Sequence, residues 1–214
     1  ALRAAGGIVV MILLLTRGTD GAKAAAMAVL WSLTYGSATG ILPLVALLTG
    51  STVDTQQVAA AALRALAADN PANQDAVRAA GGIPPLVALL ESGADGAEEY
   101  AASALCELAN GNADNQDAVR AAGGILSLVA LLTGGVDGTE EAAAAALGKL
   151  AGNNAANQET VRDAGGIPPL VALLSSGVDG TEEAAAAALG KVVANNAANQ
   201  DAVRAAGGIP PLVA

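Results

Sequence analysis

Residues 76–90 read AVRAAGGIPPLVALL, and close copies stand at 118–132 (AVRAAGGILSLVALL), 160–174 (TVRDAGGIPPLVALL) and 202–214 (AVRAAGGIPPLVA). A double glycine ends the helix that runs into it, because a residue of positive φ there stops the backbone ladder. The prolines that follow suit the first turn of a new helix, where a missing N–H is no loss. The stretch is therefore a joint between two helices. Its second glycine falls at Gly82, Gly124, Gly166 and Gly208, a step of 42 residues each time. Gly40, in TGILPLVALL, keeps the phase although Thr39 replaces the first glycine. Gly7 lies only 33 residues before Gly40, so the first unit is nine residues short.

Three helices can be read in a unit. The first, NQDAVRAA at 115–122, is expected to begin at an Asn N-cap and to end at the glycines. Asp117 with Arg120 suits its macrodipole and can form an ion pair, as can Asp75 with Arg78, Glu159 with Arg162 and Asp201 with Arg204. The second, IPPLVALL, is apolar throughout and is expected to leave little surface facing water. The third is longer, as in DGTEEAAAAALGKLAGNN at 137–154, and Asp137 with Glu140 has capping-box spacing. Asp95 with Glu98 and Asp179 with Glu182 repeat that spacing.

Composition agrees with an all-helical chain. Of 214 residues 53% are hydrophobic, much of that alanine, while aromatics are 1% and phenylalanine is absent, which argues for closely packed helices rather than sheets. The best candidate for a spanning segment, IVVMILLL at 8–15, is far short of the roughly 20 residues a spanning helix needs and reads as a buried helix, so no membrane insertion is expected. A net charge of −10 disfavours nucleic acid and anionic lipid. The single cysteine, Cys106, allows no intrachain disulfide and suits a reducing compartment, which makes an intracellular, cytoplasmic location the expectation.

A period near 40 with three helices per unit marks an α-solenoid, in which no unit buries its apolar face alone. The recurring GGIPPLVALL, EEAAAAALGKLA and NNAANQDAVRAAGG resemble the armadillo repeat family over nearly the whole chain, most closely the plant and protist form. HEAT repeats are the nearest alternative, but they usually have two helices and lack the Gly-Gly-Ile-Pro joint. The resemblance implies a right-handed superhelix of about five repeats forming one domain over 1–214. Its units are 1–39 (irregular), 40–81, 82–123, 124–165 and 166–207, with the start of another at 208–214. Neither end reads as capped, so the chain is expected to be a piece of a longer array.

Little here points to catalysis. With no histidine, the commonest general base, the Ser-His and Cys-His nucleophile pairs and most zinc sites are excluded. Cys106, mid-helix between Leu105 and Glu107, reads as a packing residue, and the glycine pairs have no phosphate-loop context. No enzyme activity and no cofactor or metal are expected.

Armadillo proteins line a concave groove with their third helices, and extended peptides commonly lie along it. Carried onto this chain, the resemblance implies a stripe through Glu141, Ala145, Gly148, Lys149 and Gly152. Its equivalents are Gln57, Ala61, Arg64, Ala65 and Ala68; Glu99, Ser103, Cys106, Glu107 and Asn110; and Glu183, Ala187, Gly190, Lys191 and Ala194. Importin-like members carry Trp and Asn columns there; here those columns read Ala28, Ala61, Ser103, Ala145, Ala187 and Ser32, Ala65, Glu107, Lys149, Lys191, so neither is kept. The candidate partner contacts are Trp31, Tyr35, Arg64, Glu107, Lys149 and Lys191. Lys149 and Lys191 suit an acidic partner segment. Trp31 and Tyr35 form a binding hot spot, or fill the space left by the missing residues, or mark a break in the chain. Three roles follow: a scaffold binding a protein partner along the groove, a structural subunit packed into a larger assembly, or the substrate-recruiting arm of a ubiquitin ligase.

Overall fold

A computed structural model of the chain describes residues 40–49, 52–92, 95–134 and 137–209. Among these residues there are twelve helices and no strand. They come in four successive triplets, each a short glycine-led helix, a long helix and a short Asn-capped helix. The first triplet is α1 (Ile41–Leu47), α2 (Val53–Ala67) and α3 (Pro71–Ala79). The second is α4 (Ile83–Leu89), α5 (Asp95–Ala109) and α6 (Ala113–Ala121), and the third α7 (Gly124–Leu131), α8 (Asp137–Ala151) and α9 (Ala155–Asp163). The fourth is α10 (Ile167–Leu173), α11 (Asp179–Val192) and α12 (Ala197–Ala205). The long helices stack in order, α2 on α5, α5 on α8 and α8 on α11, which is the expected solenoid.

Alanine is what lets them stack. A long helix inside the array is covered from both sides, so α5 buries Ala101, Ala102, Ala104, Leu105, Leu108 and Ala109 with no measurable exposure. Two leucines supply most of the buried area, worth about 1.5–3 kcal/mol each, while alanine methyls let the neighbouring backbones come near. At the closest approach even a methyl is too much: a Cβ on Gly148 of α8 would sit 3.1 Å from Ala188 Cα of α11.

The double glycine of the joint serves two needs. Gly81 adopts φ +73° and a side chain there would meet nothing, so conformation alone selects it. Gly82 has ordinary φ, −75°, but a Cβ would lie 2.7 Å from Val77 Cγ1 and 3.0 Å from Val45 Cγ2. Only the second glycine is held by packing, against two valines of the preceding unit.

The joint's other half, the Asn-Gln dipeptide, welds the units together. Asn115 is buried and donates through Nδ2 to the Leu108 carbonyl at 2.9 Å, closing the end of α5. Gln116 donates through Nε2 to the Ala109 carbonyl at 3.3 Å, and across the unit boundary to the carbonyls of Lys149 at 2.9 Å and Gly152 at 3.2 Å. Its Oε1 accepts from Asn154 Nδ2 at 3.2 Å. Gln74 and Gln158 reach forward in the same way, to the carbonyls of Glu107 and Lys191, each at 2.9 Å. The side chains thus cap carbonyls that a helix C-terminus leaves without partners. Among the described residues no buried side-chain nitrogen or oxygen lacks a partner.

Several expectations need correction. The Asn-capped helices start one turn earlier than the sequence reading placed them: α6 begins at Ala113, and its cap is Asn112, whose Oδ1 accepts from Asn115 N at 3.1 Å. Both asparagines can cap, but the second is withdrawn to the ladder. The Asp-x-x-Glu capping box does not form in α11, where Val178 is the N-cap and Asp179 the first helical residue. Glu182 accepts instead from Gly177 N at 2.9 Å. Asp75, Asp117 and Asp201 pair with their arginines as expected. Arg162 does not pair with Glu159; it turns to Asp163 at 2.9 Å, a carboxylate standing where other units have Ala79, Ala121 and Ala205. The glycine-led helices are not wholly buried either, since Leu42 and Leu126 are 68% and 65% exposed at the outward position held by Pro84 and Pro168 elsewhere. Trp31, Tyr35, the run 8–15 and the short first unit lie outside the described residues.

Candidate partner-binding surface

Because the long helices stack with a 42-residue step, equivalent positions form rows across them. One row is Gln57, Glu99, Glu141 and Glu183; eight residues further along the helices a second is Ala65, Glu107, Lys149 and Lys191. Between them run Ala61, Ser103, Ala145, Ala187 and then Arg64, Cys106, Gly148, Gly190. All are exposed or half-buried except Gly148, which is buried beneath α11 and so drops out of the expected stripe.

The rows enclose a hollow of about 300 Å³ across α2, α5 and α8, lined by Arg64, Glu99, Ser103, Cys106, Glu107 and Glu141 among others. The structure thus brings together two of the sequence-derived site residues, Arg64 and Glu107. Lys149 stands close enough to Cys106 for its charge to act on the thiol, whereas Lys191 lies one helix further on. The Cys106 thiol is pushed up to about 11, first by burial and then by the Glu107 carboxylate, with Lys149 and Arg64 opposing them. At neutral pH the thiol is uncharged, which suits the packing role and not a nucleophile.

The lining also includes Gly138, a position that reading of the sequence had not singled out. A Cβ there would come within 3.3 Å of the Glu99 carboxylate, and one on Gly180 within 2.6 Å of that of Glu141. Glu99 and Glu141 therefore lie over the first turn of the next long helix, where the macrodipole favours negative charge. The signal was legible as a DG dipeptide, Asp95-Gly96, Asp137-Gly138 and Asp179-Gly180, 42 residues apart.

Ion pairing divides the molecule. Arg78, Arg120, Arg162 and Arg204 in the Asn-capped helices all pair with carboxylates. Arg78, Arg120 and Arg162 also donate to the buried asparagine of the next unit, as Arg120 does to Asn157 Oδ1 at 2.7 Å. The Asp75 and Asp117 carboxyls are held below their ordinary value, first by hydrogen bonds from Asn112 and Asn154 and then by their arginines. Among the described residues, the cations left without a hydrogen bond or ion pair are Arg64, Lys149 and Lys191, and all three lie on the long-helix face.

A second hollow, of about 410 Å³, opens on another face between α4 and α7, lined by Leu90, Glu91, Leu126, Ser127, Val129, Ala130 and Ala164. Ser127 Oγ donates to Glu91 at 2.8 Å across it. The Leu-Ser that replaces Pro-Pro in this unit was its sequence signal. Among the described residues no group of three or more His, Cys, Asp or Glu side chains is placed to hold a metal ion, and no helix is long and apolar enough to cross a membrane.

A family model described as Armadillo/beta-catenin-like repeat matches residues 70–110 and 154–194. The fold is similar to that of an engineered protein solved by a structural genomics consortium, with 30% identity over 95% of this chain and 86% of that one and a TM-score of 0.84. It is similar also to the designed armadillo repeat protein YIII(Dq)4CqI, with 26% identity, coverage of 94% and 88%, and a TM-score of 0.82. Computationally designed armadillo repeat proteins for modular peptide recognition give 26%, 94%, 88% and 0.80 for the same quantities. No curated protein matches the sequence.

Proposed function

The chain belongs to the armadillo-type repeat family, and from that premise we propose that it is a protein-binding scaffold whose long-helix face seats an extended segment of a protein partner. The observation that carries this reading is the segregation of charge. Arginines on the Asn-capped helices are consumed by the fold, whereas the side chains of Arg64, Lys149 and Lys191, with Glu99, Glu107 and Glu141 around them, make no hydrogen bond or ion pair among the described residues and line one face. Free charges of this kind add little to folding but steer association and discriminate between partners. Similarity to designed proteins made for peptide recognition supports the same use of the surface. The test is photo-crosslinking from residue 145 or 187 to protein partners in a cell extract, repeated with Arg64→Glu and Lys149→Glu. Crosslinks to a defined segment that both charge reversals weaken are the expected result. Crosslinks unaffected by either reversal would sink the proposal.

A second reading, a subunit packed into a larger assembly through another face, draws on the exposed Leu126 beside the second hollow. It predicts that Leu126→Asp releases the assembly while Lys149→Glu does not. The ubiquitin-ligase role would need a catalytic module elsewhere and draws only on family analogy.

A further inference from the structure

We infer that the segment seated on this face is one of alternating charge, with basic residues pointing to one edge of the surface and acidic residues to the other over α8 and α11. The inference rests on the groove-binding reading above and gives its partner a chemistry. Glu141 and Glu183 form one rail of the surface, and Lys149 and Lys191 form the other. Each lysine follows its glutamate by eight residues, which at 1.5 Å per residue sets the rails roughly 12 Å apart. None of the four side chains makes a hydrogen bond or ion pair with another described group, the Glu141 carboxylate lying beside the first turn of α11. Ala145, Ala187 and Gly190 lie between them, so nothing bulky stands on the floor.

A channel with carboxylates along one wall and ammonium groups along the other suits an extended chain better than a helix. Successive side chains of a strand point to opposite sides, so alternate residues meet alternate walls. Residues two apart in a strand are separated by roughly 7 Å, neighbouring helix axes by 8–10 Å, and the long charged side chains on both partners span the difference. A uniformly acidic segment would face Glu141 and Glu183, and a uniformly basic one Lys149 and Lys191; either meets like charge along a whole wall.

The pattern also sets direction. On α5 the lysine rail becomes Glu107, while Glu99 continues the other, so both walls there are acidic. The end of the segment over α5 is therefore basic on both sides, and the end over α11 alternates.

The test uses residues 1–214 and four labelled twelve-residue peptides at low ionic strength: alternating Lys-Glu, a block of six Lys followed by six Glu, all-Lys and all-Glu. Anisotropy is expected to show the alternating peptide binding at least tenfold more tightly than the block isomer of identical composition, and more tightly than either homopolymer. In the double variant Lys149→Glu, Lys191→Glu, which keeps exposed positions charged, the preference is expected to move to all-Lys. Equal affinity of alternating and block peptides, tighter binding of a homopolymer, or an unchanged preference in the double variant overturns the inference. Photo-crosslinking from residue 187 separates the two claims. Peptides that crosslink there in another charge order refute the alternation alone, and a failure of every peptide to crosslink there refutes the groove reading with it.

Discussion

Gly148 and Gly190 occupy the same position in consecutive long helices, and the structure assigns opposite signs to the same substitution at the two sites. Both lie in the last turn of their helix, so replacing either by alanine gains at most about 0.8–1.0 kcal/mol of helix propensity. At Gly190 that gain stands alone, because a Cβ would meet no atom within 4 Å. At Gly148 the new Cβ would lie 3.1 Å from Ala188 Cα and 3.5 Å from Ala188 N and Cβ. That neighbour is the backbone of α11 and cannot rotate away, so α8 and α11 must separate by a few tenths of an ångström along their contact. Overpacking of this kind costs about 1–3 kcal/mol, which exceeds the propensity gain. Gly190→Ala is thus expected to stabilise by somewhat under 1 kcal/mol and Gly148→Ala to destabilise by about 1 kcal/mol. Because solenoid stability is a sum of unit and interface terms, hydrogen exchange of the α8 and α11 amides reads the change more directly than a single melting point. Stabilisation of those amides by the same amount in both variants would refute the α8–α11 spacing from which the signs derive.

Gln116→Leu removes three inter-unit bonds, to the Lys149 and Gly152 carbonyls and from Asn154 Nδ2, so urea denaturation should show a loss of about 2–3 kcal/mol, against about 0.5 kcal/mol for the exposed Gln200→Leu, which loses one bond to Val193 O. Equal losses would show that the ladder does not join units. The lowered carboxyl of Asp117 contributes stability that is present above the unfolded value near 3.8 and is lost as pH falls through the folded value; Asn154→Ala, removing the first cause, should move Asp117 upward in a carboxyl NMR titration. An unmoved titration would rule that hydrogen bond out as the cause. For Cys106, with its thiol raised from 9.0 to about 11, the thiolate fraction at pH 8 is about a hundredfold below that of an unperturbed cysteine, so alkylation should be correspondingly slow in the native protein and fast in urea. Rapid native alkylation would contradict the burial of the thiol.

The architecture was legible because its signals are local and repeat. Glycine pairs, proline-led helices and a 42-residue step each follow from the conformational limits of single residues. The helix start at Ala113 was misread because Asn112 and Asn115 are chemically equal as caps, and which one is withdrawn depends on the Leu108 carbonyl that folding brings beside the second. The Arg162 partner was missed for a similar reason, since Asp163 competes with Glu159 and spacing alone does not rank them. At the candidate surface, the stripe positions could be counted along one helical face, and Arg64 and Glu107 did meet in one hollow. The burial of Gly148 could not be counted, because it is decided by the adjacent helix, not by its own.

That difference also explains which parts of the unit vary. Each rung of the ladder bonds a side chain of one unit to the backbone or side chain of the next, so a change at one rung strands groups in two units. The buried column accordingly reads Asn73, Asn115, Asn157, Asn199 and the next Gln74, Gln116, Gln158, Gln200, without exception. The column at the edge of the long-helix face reads Ala65, Glu107, Lys149, Lys191, and none of its charged side chains bonds within the described fold, although their backbone carbonyls take the ladder's hydrogen bonds. A side chain that no internal bond holds is free to change sign from one unit to the next without cost to stacking. Partner discrimination can therefore reside there while the scaffold stays the same, and a charge reversal at Lys149 should alter binding far more than it alters unfolding.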